Sequence, residues 1–135
     1  MSSRADVSAP ITTSDLKVFY CACGELGLVI NRSLASLARR PVDNAMILRN
    51  TGKDKMYYKL NALLDREPIV YKRPDGLEKQ WRLRCQRCDL QLGYETSDAR
   101  EASTRGPYTY LLHGSVTETQ NAVPIGAYDI PAHLT

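Results

Sequence analysis

A chain of 135 residues that is 43% hydrophobic and 24% charged, with 8 Gly and 7 Pro, has the composition of one soluble globular domain; collagen, coiled coils and wholly disordered chains are excluded. The formal net charge of +3 is too mild to name nucleic acid as a partner by itself. No apolar run approaches the roughly 20 residues that span a bilayer, and Met1 to Ser14 lacks the apolar core of a secretory signal, so cytosol or nucleus is the expected compartment.

Residues 1–15 are polar and small and read as a flexible arm. From Leu16 two β-favouring runs, Lys17 to Tyr20 and Leu26 to Ile30, flank Cys21-Ala22-Cys23-Gly24, which predicts a hairpin with a cysteine knuckle at its tip. Leu34, Leu37 and Ala38 share one face of a helix of about two turns, with Asn31-Arg32-Ser33 before it as a cap and Pro41 as its stop. Ala45 to Leu48 and Met56 to Leu60, on either side of a turn-like Asn50 to Lys55, read as a second hairpin; the alternative is a helix through Leu60, Leu63 and Leu64.

The clearest hairpin joins Ile69–Arg73 to Leu77–Arg84 through Pro74-Asp75-Gly76, because Pro presets the first turn position and Gly accepts a positive φ. Its second strand runs into Cys85-Gln86-Arg87-Cys88 and out through Asp89 to Tyr94, so the second knuckle also sits between strands. After a polar loop, Tyr108 to Gly114 has strand composition and reads as the last strand of the sheet. The domain is expected to span 16–115, with 116–135 as a polar tail interrupted by Pro124, Gly126 and Pro131. With one Phe and one Trp, the core rests on aliphatics and eight Tyr, and a bound metal would supplement it.

The four Cys fall as two close pairs in a chain without an export signal, which disfavours a disulfide framework. Structural zinc takes four tetrahedral ligands, and two tight turns bearing thiolates supply that set: Cys21, Cys23, Cys85 and Cys88 are the expected ligands of one structural Zn²⁺. Gly24 and Asp89 follow the two pairs, where such knuckles need a left-handed residue. An iron–sulfur centre uses the same ligands and stays open. Buried reduced thiols and a redox pair at Cys85 and Cys88 are weaker readings, the latter for want of a βαβ context. Four thiolates leave no open catalytic position; His113 and His133 have no partner motif, no phosphate loop or nucleophile elbow is present, and no enzyme is expected.

Between Lys72 and Cys88, six cations (Lys72, Arg73, Lys79, Arg82, Arg84 and Arg87) face two acids, a net of +4 that leaves the rest of the chain at −1. This basic hairpin, with Trp81 or Tyr71 for stacking, is a candidate contact for RNA phosphate or an acidic protein face. The plainer reading is a solvated strand face, with Arg84 and Arg87 offsetting the −2 charge of a tetrathiolate zinc centre.

The segments Val18-Phe19-Tyr20-Cys21-Ala22-Cys23-Gly24, Leu34 to Pro41, Tyr71 to Arg82 and Cys85-Gln86-Arg87-Cys88-Asp89-Leu90, in that order, resemble the STING ER exit protein (STEEP) family over about Lys17 to Val116. Asp89 stands where members commonly have Gly, and the long, often Lys-rich C-terminal extension of animal members is not expected in this chain. The resemblance implies a non-enzymatic adaptor. Two roles follow for such a family member: a nuclear, spliceosome-associated ribonucleoprotein component, taken as the leading expectation, and an adaptor promoting ER exit of a membrane protein through COPII vesicles as its alternative. The fold expected is mainly β (small α+β) and zinc-ribbon-like, with two cysteine knuckles and one short helix.

Overall fold

Residues 15–97 and 106–129 are described by a computed structural model of the chain. Among the described residues, ten strands account for nearly all of the regular structure: β1 Lys17–Cys21, β2 Leu26–Ile30, β3 Met46–Arg49, β4 Tyr58–Leu60, β5 Ala62–Leu64, β6 Ile69–Arg73, β7 Gly76–Cys85, β8 Gln91–Glu95, β9 Tyr108–Leu111 and β10 Val116–Thr117. They form a four-stranded antiparallel sheet in the order β10-β1-β2-β4 and a second sheet in the order β3-β9-β8-β7-β5, with β6 also paired to β7. The fold is mainly β, as the alternating sequence pattern predicts.

Side chains from both sheets share one core. Phe19, Leu28, Ile30 and Leu60 come from the first sheet, and Met46, Leu48, Leu83, Leu92 and Leu111 from the second. Alternation decides who enters: on β7, Trp81, Leu83 and Cys85 are buried while Arg82 and Arg84 point the other way. Strand β8 lies between β7 and β9 and is buried from Leu92 to Glu95 on both faces. Its Gly93 is required by close approach, since a Cβ there would lie 2.2 Å from the Tyr110 carbonyl oxygen of β9.

The β1–β2 and β6–β7 hairpins form as expected, the latter around the two residues Pro74 and Asp75, with Arg73 opposite Gly76. Strand β5 and strand β6 run along the same edge of β7, interrupted at Asp65–Pro68, where Pro68 has no N–H to donate. Three expectations are corrected. The two-turn helix is a single 3-10 turn, Leu34–Ser36, because Leu37 is already extended and Arg39 forms a β-bridge with Met46. The second hairpin does not pair with itself: β3 joins β9 and β4 joins β2, so the loop at Asn50 to Lys55 carries the chain from one sheet to the other. Tyr108–Leu111 is the last strand of its sheet in chain order, as expected, but it is not the last of the chain and ends short of Gly114: Val116 and Thr117, expected in the tail, pair with Cys21 and Tyr20 in the other sheet. The arm at residues 1–14 and His133 lie outside the described residues.

Candidate metal centre

Each cysteine pair begins where a core strand ends. Cys21 closes β1 and Cys85 closes β7, both fully buried, while Cys23 and Cys88 lie in the turns that follow. The turns are built alike. In the first, the Cys21 N–H donates to the Glu25 carbonyl (2.9 Å) and the Gly24 N–H returns to the Cys21 carbonyl (2.9 Å); in the second, the Cys85 N–H donates to Leu90 (2.8 Å) and the Asp89 N–H to Cys85 (3.0 Å). The residues after each pair take the left-handed conformation the sequence predicts, Gly24 at φ 94° and Asp89 at φ 68°. At the first position Asn121 Oδ1 lies 2.2 Å from where a Cβ would stand, so a side chain there would have to displace Asn121.

The pairs close on each other rather than within themselves. Cys21 Sγ is 3.5 Å from Cys88 Sγ, and Cys23 Sγ is 3.7 Å from Cys85 Sγ. All four sulfurs lie within 4.8 Å of one another. A disulfide is about 2.05 Å long, so these are separate thiols. Four sulfurs at about 2.3 Å from a central ion stand about 3.8 Å apart at the corners of a tetrahedron, which is the scale observed. The donor set therefore fits a tetrahedral thiolate metal.

A backbone contact suits a thiolate cluster, whereas burial of the thiols sets a deprotonation cost against it. Burial pushes the Cys21 thiol up to about 12. At Cys23 burial acts in the same direction but is outweighed by the Glu25 backbone and the neighbouring thiols, which hold it below its ordinary value. A cation must therefore displace protons from this cluster, so its affinity rises with pH. The Arg87 N–H donates to Cys85 Sγ at 3.4 Å, supporting the sulfur from the backbone.

Three residues that composition and spacing did not single out fix the two knuckles. Asn61, the one-residue link between β4 and β5, donates its N–H to Gly27 (2.7 Å) and its Nδ2 to Leu26 (2.8 Å) and Glu25 (3.3 Å), and its Oδ1 accepts from Gln86 (2.9 Å). It thus ties the flank of the first knuckle to the turn of the second. Gln120 donates to the Gly24 carbonyl at 2.9 Å, and Asn121 packs over Gly24. The signal for these residues lies in tertiary pairing, since nothing local distinguishes them from loop Asn and Gln.

The basic hairpin divides into used and unused charge. Arg82 and Arg84 both pair with Asp65, at 2.9 and 2.8 Å. Arg73 reaches Glu78 at 3.4 Å and lies over the Tyr71 ring. Trp81, expected to be available for stacking, is only 8% exposed because it continues the core-facing row of β7. Lys72, Lys79 and Arg87 remain exposed. Glu78 also receives a two-pronged contact from Arg40 (2.8 and 3.0 Å) and a bond from Gln80, and the Arg40 guanidinium foremost holds its carboxyl at about 2. Arg40 further donates to the Tyr94 hydroxyl, which donates to Asp43. His113 stands outside the thiol cluster, between Arg39 (3.2 Å) and Asp129 (2.9 Å).

Among the described residues no helix is long and apolar enough to cross a membrane. A protein of Drosophila melanogaster named STING ER exit protein is 32% identical over 87 residues; the match covers 61% of this chain and 33% of the length of that relative. The model of the STEEP1 domain matches residues 11–125, which include both knuckles, both sheets and the basic hairpin. The chain therefore belongs to the STEEP1 domain family.

Proposed function

We propose that this chain is a non-enzymatic, zinc-stabilised interaction domain that acts in the exit of a membrane protein from the endoplasmic reticulum. The observation that carries the adaptor role is family membership together with a relative named for ER exit. Zinc is favoured for the centre because four thiolates at tetrahedral spacing suit a structural d¹⁰ ion and leave no coordination position for a substrate. Bound there, the ion supplies cross-linking energy and no reaction. Cys21 and Cys85 then pin the ends of two strands from different sheets, and the surfaces carried by those sheets are held in one relative orientation. Partners are proposed to be COPII coat components and ER membrane proteins, met at the cytoplasmic face. The nuclear ribonucleoprotein role has no observation behind it beyond the sequence resemblance.

The experiment is gentle purification of the tagged protein from its own cells, followed by identification of what accompanies it. Coat proteins and ER membrane proteins are the expected companions. Dominance of small nuclear RNAs and splicing proteins would overturn the reading in favour of a particle subunit.

A further inference from the structure

The β6–β7 hairpin has two faces, and its pairing register assigns every residue to one of them. Residues directly opposite in an antiparallel pair share a face, and neighbours along a strand alternate. Val70 stands opposite Lys79 and Lys72 opposite Leu77, while Tyr71 stands opposite Glu78 and Ile69 opposite Gln80. The face bearing Tyr71, Arg73, Glu78 and Gln80 is consumed internally by the Arg40–Glu78–Arg73 contacts. The other face carries Val70, Lys72, Leu77 and Lys79. It continues the row of Trp81, Leu83 and Cys85, which is buried beneath the core; past Trp81 nothing among the described residues covers it. Val70 is 51% exposed and Leu77 75%.

We infer that this face is a docking surface for an acidic protein segment with apolar side chains among its carboxylates, bound in extended form. Charge complementarity selects the partner: the face has two lysines and no carboxylate, since Glu78 points to the opposite side. Along each strand apolar and cationic residues alternate at a two-residue spacing, Val70 then Lys72 and Leu77 then Lys79. An extended segment presenting carboxylates and apolar groups at that same spacing satisfies both. RNA is disfavoured because no exposed ring lies on this face: Trp81, in the same row, is buried, and Tyr71 is on the other side beneath Arg73. An anionic bilayer is disfavoured because its headgroups match the lysines but present no apolar groups at the two-residue spacing of Val70 and Lys72 or of Leu77 and Lys79.

The surface is one contact of the proposed adaptor and rests on that reading, but its test is separate. The probe is a fluorescein-labelled peptide of three Glu-Glu-Leu-Leu repeats, which in extended form alternates Glu and Leu on each face. Its anisotropy is titrated with the full metal-loaded chain. Binding is expected to weaken with salt, to fall about 10-fold or more in the double variant Lys72→Glu/Lys79→Glu, and to fall several-fold in Leu77→Ser. A peptide of Lys-Lys-Leu-Leu repeats is expected not to bind. Equal peptide binding by the wild type and the double variant would overturn the inference. So would absence of peptide binding, including the case where phosphatidylserine vesicles or a single-stranded RNA bind through the same lysines instead. Unchanged melting temperature and metal content establish that each variant is folded. If the double variant keeps wild-type peptide binding while coat proteins still co-purify, the surface is wrong and the adaptor role stands.

Discussion

Cys88 offers the sharpest test of the metal centre because its removal separates coordination from packing. It is the exposed member of the cluster, whereas Cys21 and Cys85 are fully buried in the core. If the four thiols were merely reduced side chains, Cys88→Ser would be a surface change worth within about 0.5 kcal/mol. If they hold zinc, the substitution removes one of four thiolates whose joint binding contributes roughly 10–16 kcal/mol in small zinc domains. A quarter of that is about 3 kcal/mol, a factor on the order of 100 in metal affinity. For a domain of this length the same loss lowers the melting temperature by about 10 °C. The assay is metal content by mass spectrometry with thermal unfolding, before and after titration with a chelator of known affinity. A Cys88→Ser chain that holds one equivalent of zinc against the same chelator and melts within about 2 °C of wild type would refute the coordination argument.

Glu78→Gln is expected to destabilise the domain by about 1–2 kcal/mol at neutral pH, because the Arg40 contact that holds its carboxyl at about 2 rather than 4.5 is partly screened by solvent. Because the folded-state value is depressed, the contribution is complete above 4.5 and is lost as pH falls from there towards 2; urea titrations of both chains from pH 8 to 5 should show a constant gap, and a gap that changes across that range counts against the Arg40 contact as its cause. Asn61→Leu removes the bonds joining the flank of one knuckle to the other, and should cost about 2 kcal/mol and weaken metal retention, whereas loss of stability with unchanged metal affinity would show that Asn61 supports only the strands. Gly93→Ala places a methyl against the Tyr110 carbonyl and should cost about 3 kcal/mol or more; a well-folded variant within 1 °C of wild type would contradict the β8–β9 approach.

Much of the site was legible before the fold because its determinants are local. The β1–β2 and β6–β7 hairpins are encoded by contiguous alternation and turn residues, and the left-handed Gly24 and Asp89 follow from the chemistry of tight turns around cysteine. The thiol count and pairing alone pointed to a candidate four-ligand cluster, and the structure brings those four sulfurs together. The pairing of β3 with β9 and of β4 with β2 was not legible, because a short alternating strand carries no record of its partner and the nearest one in sequence is a poor default. Position also decided which cations are free. Composition gives six basic residues in the hairpin region, but only the register sorts Arg73, Arg82 and Arg84 into ion pairs and leaves Lys72 and Lys79 on an open face. The cysteine pairs and the turns around them are local features, acting within a few residues, and could be read from the chain alone. Tertiary structure decided that Cys21 meets Cys88 and Cys23 meets Cys85, that Asn61 bridges the two knuckles, and that Trp81 is buried, because each depends on which strands of the two sheets come together.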